Sequence, residues 1–312
     1  MKLGMIISGA ILLVVIGVLI FFLHTPAPDD PTQLTSPKNL EKVTLTPDLP
    51  SMFVLEAPNA SANEAYQKAF EYFETNRAEF VDNHGGLRAD ADPALADELT
   101  TLMITASKAG TVTTPFLDDA ISFEPGGRPA FGDDMESVPD VVFDHAKKIY
   151  DKGDTAKGIA AVEAVWALGQ RAFEKSQRLY PRLTGMQLMI SAGQMLAEWT
   201  DKLPPDTDAK LIAWRDALFK VRDAWEPKIL LIHNVHPHQG DLINMARNEQ
   251  DIGLRAEAVL MIGVSKYKPD QKGNAVAFQE IMDAGKTDPD PMIQKAAAAA
   301  DAFTREQLGK MR

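Results

Sequence analysis

DIGLRAEAVLMIG, residues 251–263, aligns with DPMIQKAAAAADA, residues 290–302, at an offset of 39 residues. Each copy begins with an aspartate and continues with aliphatic and small residues at the spacing of a packed helix. Asp-Pro-Asp-Pro at 288–291 provides a turn before the second helix. A period of this length is typical of stacked helix pairs. EAVWALG at 163–169 echoes EAVLMIG at 257–263, but the offset of 94 residues is not a multiple of that period.

The rest of residues 51–312 also has helical periodicity. A capping box at 61–64 precedes apolar residues such as Tyr66 and Phe70 that recur on one face. Further helices are predicted over 93–109, 138–149, 155–180, 184–199, 207–226, 240–249, 253–267, 271–285 and 290–308. Alternation of the strand type is confined to short stretches near 52–56 and 228–233. The sequence therefore predicts an all-α domain.

MQLMISAGQMLAEW, residues 186–199, is apolar nearly all round and follows a second capping box at 184–187. Its 14 residues include two glutamines and one glutamate, so the stretch is too short and too polar to cross a membrane. We predict a central buried helix instead.

Leu254, Arg255 and Gly263 match the pattern aliphatic-Arg-x-Ala-Ala-x-x-Ala-Leu-Gly, which follows an Asp-Pro turn in HEAT repeats. Residues 240–308 therefore resemble HEAT or armadillo repeats, although Gln294 stands where the second copy would have arginine. The resemblance implies a solenoid of antiparallel helix pairs, whose concave face usually binds a partner protein. The residues alone leave open an irregular helical bundle with alanine-rich contacts.

GMIISGAILLVVIGVLIFFL, residues 4–23, carries no charge and is long enough as a helix to cross a bilayer. A cleaved signal peptide is the alternative, but its apolar run is usually shorter and the nearest small-x-small site, 25–27, contains proline. We predict an uncleaved anchor. Lys2 precedes the run and Asp29 and Asp30 follow it, which places residues 1–3 in the cytoplasm and the main domain outside it.

Two segments without helical periodicity are also predicted. Residues 24–50 contain six prolines and form an extended linker between the anchor and the domain at 51–312. Residues 110–139 combine glycines and prolines in a long loop, which is either a surface insertion or a lid over a binding site.

Charge and composition limit the kinds of partner. The chain has a formal net charge of −12 and no cysteine. Acidic proteins repel phosphate backbones, so we expect no nucleic-acid partner. The missing cysteine excludes disulfides, thiolate metal ligands and a thiol nucleophile. A membrane contact through the N-terminal helix and a protein partner remain the expected interactions.

A histidine-rich turn holds the candidate metal ligands, which are His233, His236, His238 and Asp241. His236 and His238 flank a proline, and in an extended segment alternate side chains share one face. Imidazole nitrogens with a carboxylate would favour Zn²⁺. The alternative is a turn that caps the next helix without any metal.

Other polar residues lie within apolar helices. His145 falls on the apolar stripe of its helix, which is typical of a hydrogen-bonded core histidine rather than a catalytic or haem-binding one. Arg171, Lys175, Arg178 and Arg182 form a basic stripe, either an anion or partner site or a solvated, salt-bridged face. We expect the solvated face.

No catalytic triad spacing, phosphate-binding glycine loop or nucleotide fingerprint is present in the sequence. We therefore predict a single-pass membrane protein whose extracytoplasmic α-helical domain serves as a scaffold for another protein. A metal-dependent enzyme of the hydrolase type, using residues 233–241, is the alternative. The sequence names neither the partner nor a substrate.

Overall fold

Eleven α-helices are found in the computed structural model, which describes residues 62–82, 86–88, 90–109, 134–176, 178–233, 239–266 and 272–310. In chain order they are α1 (Ala62–Thr75), α2 (Arg77–Phe80), α3 (Pro93–Lys108), α4 (Asp134–Asp151), α5 (Thr155–Lys175), α6 (Leu179–Ala197), α7 (Thr207–His233), α8 (Gln239–Asn248), α9 (Ile252–Lys266), α10 (Lys272–Gly285) and α11 (Pro291–Lys310). The only extended pairing within these ranges is an isolated bridge between Val81 and Leu87. The all-α prediction is confirmed.

The N-terminal helices pack around α5. Helix α1 lies on α3, both α3 and α4 contact α5, and α6 covers the side of α5 that remains. The aromatic face of α1 is fully buried, as the spacing of Tyr66 and Phe70 predicts. Trp166 of α5 meets Trp214 of α7 edge to face, with ring centroids 5.6 Å apart, and this contact joins α7 to the same core.

Helices α5 and α6 approach each other most closely at Gly169 and Gly185. A Cβ atom on Gly169 would lie 2.7 Å from the carbonyl oxygen of Gly185, and a Cβ on Gly185 would overlap the carbonyl oxygen of Gly169. Only glycine permits this separation, because any side chain would push the two backbones apart.

The C-terminal helices form two stacked pairs. Helix α8 packs on α9 and α10 packs on α11, while α9 also contacts α11 and α8 contacts α10. A Cβ on Gly263 would lie 2.7 Å from Cα of Ala300, and one on Gly285 would lie 2.7 Å from Cβ of Ala297. The alanine-rich segment of α11 is therefore the surface on which α9 and α10 rest.

Ion pairs join the two halves of the domain at the helix ends. Lys228 of α7 lies 2.8 Å from Glu249, and both side chains are about nine-tenths buried. Arg182 of α6 lies 2.6 Å from Asp251, which precedes α9. Separating the partners of such a pair is unfavourable, because it leaves each charge desolvated and unpaired.

Two prolines lie inside helices where the sequence predicts an irregular chain. Helix α4 begins at Asp134, so the predicted loop over 110–139 is wrong for residues 134–139. Helix α7 continues through Pro227 to His233, which contradicts both the predicted end at 226 and the short strand near 228–233. In α4 and α7 the burial of neighbouring side chains, such as Val138 and Ile232, offsets the backbone hydrogen bond that each proline removes.

The boundary between α5 and α6 differs from the prediction. Helix α5 ends at Lys175 instead of residue 180, because Ser176 is extended and its hydroxyl oxygen accepts a hydrogen bond from the Arg178 N–H at 3.0 Å. Helix α6 begins at Leu179 with Pro181 in its first turn, a favoured place for proline. Thr184 is buried within the helix, so the capping box predicted at 184–187 is wrong.

The predicted anchor at 4–23, the linker at 24–50 and residues 110–133 lie outside the described residues. Of the helices that the structure does describe, none is long and apolar enough to cross a bilayer. Helix α6 contains most of the apolar stretch 186–199 and lies in the core, with Met189 and Ala192 fully buried. The prediction of a central buried helix is confirmed.

We expect Gly263→Ala to lower the free energy of unfolding by about 1–3 kcal/mol, because the added methyl group overlaps Ala300 and must separate α9 from α11. Gly309→Ala is the matched control, since nothing lies within 4 Å of a Cβ at that position. Urea unfolding of the full chain in nonionic detergent, followed by far-UV circular dichroism, measures both variants. Equal stability of the two would contradict the close contact.

Candidate functional site

A cleft of about 60 Å³ lies between the segment after α2, the start of α3 and one side of α4. Apart from His145, its buried lining is apolar and comes from Phe80, Ala96, Val141 and Ile149. Its remaining lining is Leu87, Arg88, Ala91, Pro93, Asp144, His145, Lys148 and Lys152. The cleft thus combines an apolar floor with a rim that holds three cationic side chains and one carboxylate.

His145 connects the cleft to three helices. The residue is only 8% exposed, and its Nε2 lies 3.2 Å from Oδ1 of Asp97 on α3. Lys157 of α5 donates to the same oxygen at 2.6 Å. The hydrogen bond from Lys157 holds the pKa of Asp97 below its ordinary value, and the contact with His145 adds to this effect. His145 is a hydrogen-bonded histidine at the edge of the core, as its position in the apolar stripe predicts.

The charged groups on the rim are paired only at the surface. Arg88 lies 3.1 Å from Asp90, and Lys148 lies 2.6 Å from Asp144. These four side chains are between about two-fifths and three-quarters exposed, so each pair contributes little stability and exchanges readily with water or another ion. Lys152 has no ion-pair partner within the described ranges.

The lining of the cleft contains one imidazole and neither a serine, a threonine nor a cysteine. The lining therefore offers neither a hydroxyl nor a thiol nucleophile. The cationic rim is suited to binding an anion, and the apolar floor is suited to binding hydrocarbon.

Arg171 is buried, which contradicts the predicted solvated face. It is 4% exposed, and its guanidinium donates to Tyr66 Oη at 2.8 Å and to the carbonyl oxygens of Ala106, Ser107 and Ala109 at 3.1, 2.9 and 2.7 Å. These carbonyls lie at the C-terminal end of α3, where the regular bonds of the helix stop, and only that of Ala106 also accepts a local backbone bond, from the Ala109 N–H at 3.2 Å, among the hydrogen bonds of the described residues. The arginine therefore acts as their cap.

The other members of the basic stripe do not share one helix face. Arg178 lies in the break between α5 and α6 and is 7% exposed. Arg182 pairs with Asp251 and its guanidinium lies 4.3 Å from the ring centre of Trp225. The side chain of Lys175 is outside the described set. A basic stripe along one helix face requires a continuous helix from Arg171 to Arg182. The helix is interrupted at Ser176, so these side chains do not form such a stripe.

The predicted metal ligands are only partly described. His233 is the last residue of α7, and Asp241 lies half-buried in the first turn of α8. His236 and His238 lie outside the described residues. No group of three or more potential ligands that could hold a metal is found in the part of the chain that is described. The zinc site, and the metal-dependent enzyme that would use it, stay predictions of the sequence.

No protein-family model matches this chain, and neither a curated protein nor a solved structure matches it.

We expect Asp97→Asn to lower the free energy of unfolding at neutral pH by at most about 1 kcal/mol, since the carboxylate is 47% exposed and screened by solvent. The folded pKa of Asp97 lies below its ordinary value of 3.8. The stabilisation from its charge is therefore complete above that value and is lost as the pH falls through the lower, folded pKa.

Asp216→Asn is the matched control, because it removes a carboxylate from an exposed pair with Arg215 on α7. Urea unfolding over a series of pH values measures both variants. The difference in the free energy of unfolding between wild type and Asp97→Asn should become smaller in strong acid. A difference that persists there would contradict the assignment.

Proposed function

We propose that this protein is a membrane-tethered α-helical scaffold whose C-terminal helix stack binds a partner protein outside the cytoplasm. The observation that carries the proposal is the repeated packing of α8 on α9 and of α10 on α11, with α9 resting on α11. Stacks of this type expose an extended face for protein binding.

Paired aspartates and arginines support a repeat architecture of the HEAT type over residues 240–308. Arg255 of α9 pairs with Asp288, which precedes α11, in the same way that Arg182 of α6 pairs with Asp251, which precedes α9. Asp251 also accepts a hydrogen bond from the Leu254 N–H at 3.1 Å and so caps α9. The same kind of joint thus occurs twice along α6, α9 and α11.

The upstream helices would complete the core of such an array. Two repeats are too few to stand alone, because each repeat buries its apolar face only against its neighbours. Trp225 of α7 packs against Phe173 of α5, with ring centroids 6.0 Å apart, and α7 also contacts α8 and α9. Helices α5 to α7 therefore serve as the cap that the first repeat needs.

The accessible part of the binding face would be on α11. In a HEAT-like stack the second helices of the pairs, here α9 and α11, form the concave face. No described side chain of α9 is fully exposed. Helix α11 exposes Lys295, Ala298, Ala302 and Arg305 along one side, which combines small residues with charges that would orient a partner.

The proposed tether is the apolar segment 4–23, and its proposed orientation follows from the charges that flank this segment. We expect the full chain to stay in the membrane pellet after alkaline extraction, and an external protease to digest the domain in intact cells. The double substitution Val14→Arg and Val15→Arg should release the chain, because two charges at mid-span oppose insertion. Ser8→Ala is the control that should stay membrane-bound. Release of the wild-type chain would refute the anchor.

A photo-crosslinking amino acid at Ala298 tests the partner surface. We expect the full chain in its native membrane to give one discrete crosslinked protein from this position, identified by mass spectrometry. The control position is Lys68, which is exposed on α1, away from the stack. No adduct from Ala298, or the same adduct from both positions, would contradict a partner bound on α11.

A further inference from the structure

We propose that the cleft around His145 is a binding site for a short-chain monocarboxylate, with the carboxylate at the cationic rim and the alkyl end on the apolar floor. The cleft is formed by α3, α4 and the segment before α3, whereas the proposed partner surface is on α11. The inference therefore stands independently of the scaffold function.

The charge of the cleft is opposite to that of the chain. The whole chain has a net charge of −12, but the cleft lining has Arg88, Lys148 and Lys152 against the single carboxylate of Asp144. A concave site with low-dielectric walls concentrates the field of its rim charges, so an anion is drawn to this cleft rather than to the surrounding surface.

Lys152 is the first contact for the carboxylate, because it has no ion-pair partner among the residues described. Arg88 and Lys148 pair with exposed carboxylates, and Arg88 also donates to the Ala78 carbonyl oxygen at 3.4 Å. An incoming carboxylate can take the place of either exposed carboxylate with a charge-assisted hydrogen bond of similar strength. Binding at the rim therefore leaves no buried charge without a partner.

His145 forms part of the wall of the cleft and is held in place there. Its Nε2 is held at Asp97, and Lys157 shares that carboxylate. These contacts hold the ring at the wall of the cleft, beside the place proposed for the ligand.

The volume of the cleft and its apolar floor favour a short alkyl carboxylate over phosphate. A cavity of about 150 Å³ holds benzene, so 60 Å³ encloses a carboxylate and one or two carbons. Phe80, Ala96, Val141 and Ile149 offer no hydrogen bond from their side chains to an oxygen at the floor. A phosphate would leave oxygens unsatisfied against this surface, whereas an alkyl group gains from burial there.

Propionate is the probe that tests the site. We expect the full chain in nonionic detergent to give a saturable saturation-transfer NMR signal for propionate at constant ionic strength set with sodium chloride. Propionamide has the same shape without the charge and should bind more weakly. Lys152→Gln should weaken propionate binding about threefold to fivefold, the effect of losing one exposed ionic contact.

Lys220→Gln is the matched control, since Lys220 is exposed on α7 and does not line the cleft. Its propionate affinity should equal that of wild type. The proposal is overturned if propionate gives no saturable signal, if propionamide or inorganic phosphate binds as tightly, or if both lysine variants lose affinity equally. Circular dichroism of both variants checks that each is folded.

Discussion

The close approach of helix backbones at glycine and alanine is the constraint on which the rest of this fold depends. Gly169 meets Gly185 where α5 crosses α6, and Gly263 meets Ala300 where α9 crosses α11. At such short separations the backbones themselves form the contact, and larger side chains on either side interlock around it. Helices α5 and α9 become the centres of the two halves for this reason, and the remaining helices are arranged about them.

Two ion pairs at helix ends connect the N-terminal helices to the C-terminal helices. Lys228 with Glu249 and Arg182 with Asp251 lie where α7 meets the end of α8 and where α6 meets the start of α9. Desolvating such charges offsets much of their attraction, so they add less to stability than to the choice of one packing. We suggest as a hypothesis that these ion pairs select the observed packing of the N-terminal helices against the C-terminal helices. If the double variant Lys228→Met, Glu249→Met kept the same helix packing, the hypothesis would be refuted.

The cleft and the helix stack are different kinds of surface. The cleft is small and partly open, its rim carries three cationic side chains, and His145 and Asp97 link it to the packing of α3, α4 and α5. The side of α11 is open and consists of small and charged residues. The proposed small-molecule site and the proposed protein-binding face are compatible in one chain, because they draw on separate helices.

The sequence by itself determined that the domain is all-α. Apolar spacing is a local property, so it located most helices to within a few residues, and α6 as a buried helix. The echo between 163–169 and 257–263 had no explanation from the repeat period. In the structure both segments end in a glycine at a helix crossing.

Only the tertiary structure decided the exceptions to local pattern. Pro139 and Pro227 are held in helices, and Arg171 is buried, because distant residues supply the packing and hydrogen bonds that local sequence does not encode. Arg171 lies three residues after the buried Leu168, a spacing that places both side chains on the same face of the helix. This spacing is the sequence signal that indicates a buried Arg171. The cleft could not be predicted at all, since its lining comes from two segments, 80–96 and 141–152, that are distant in the sequence and meet only after folding.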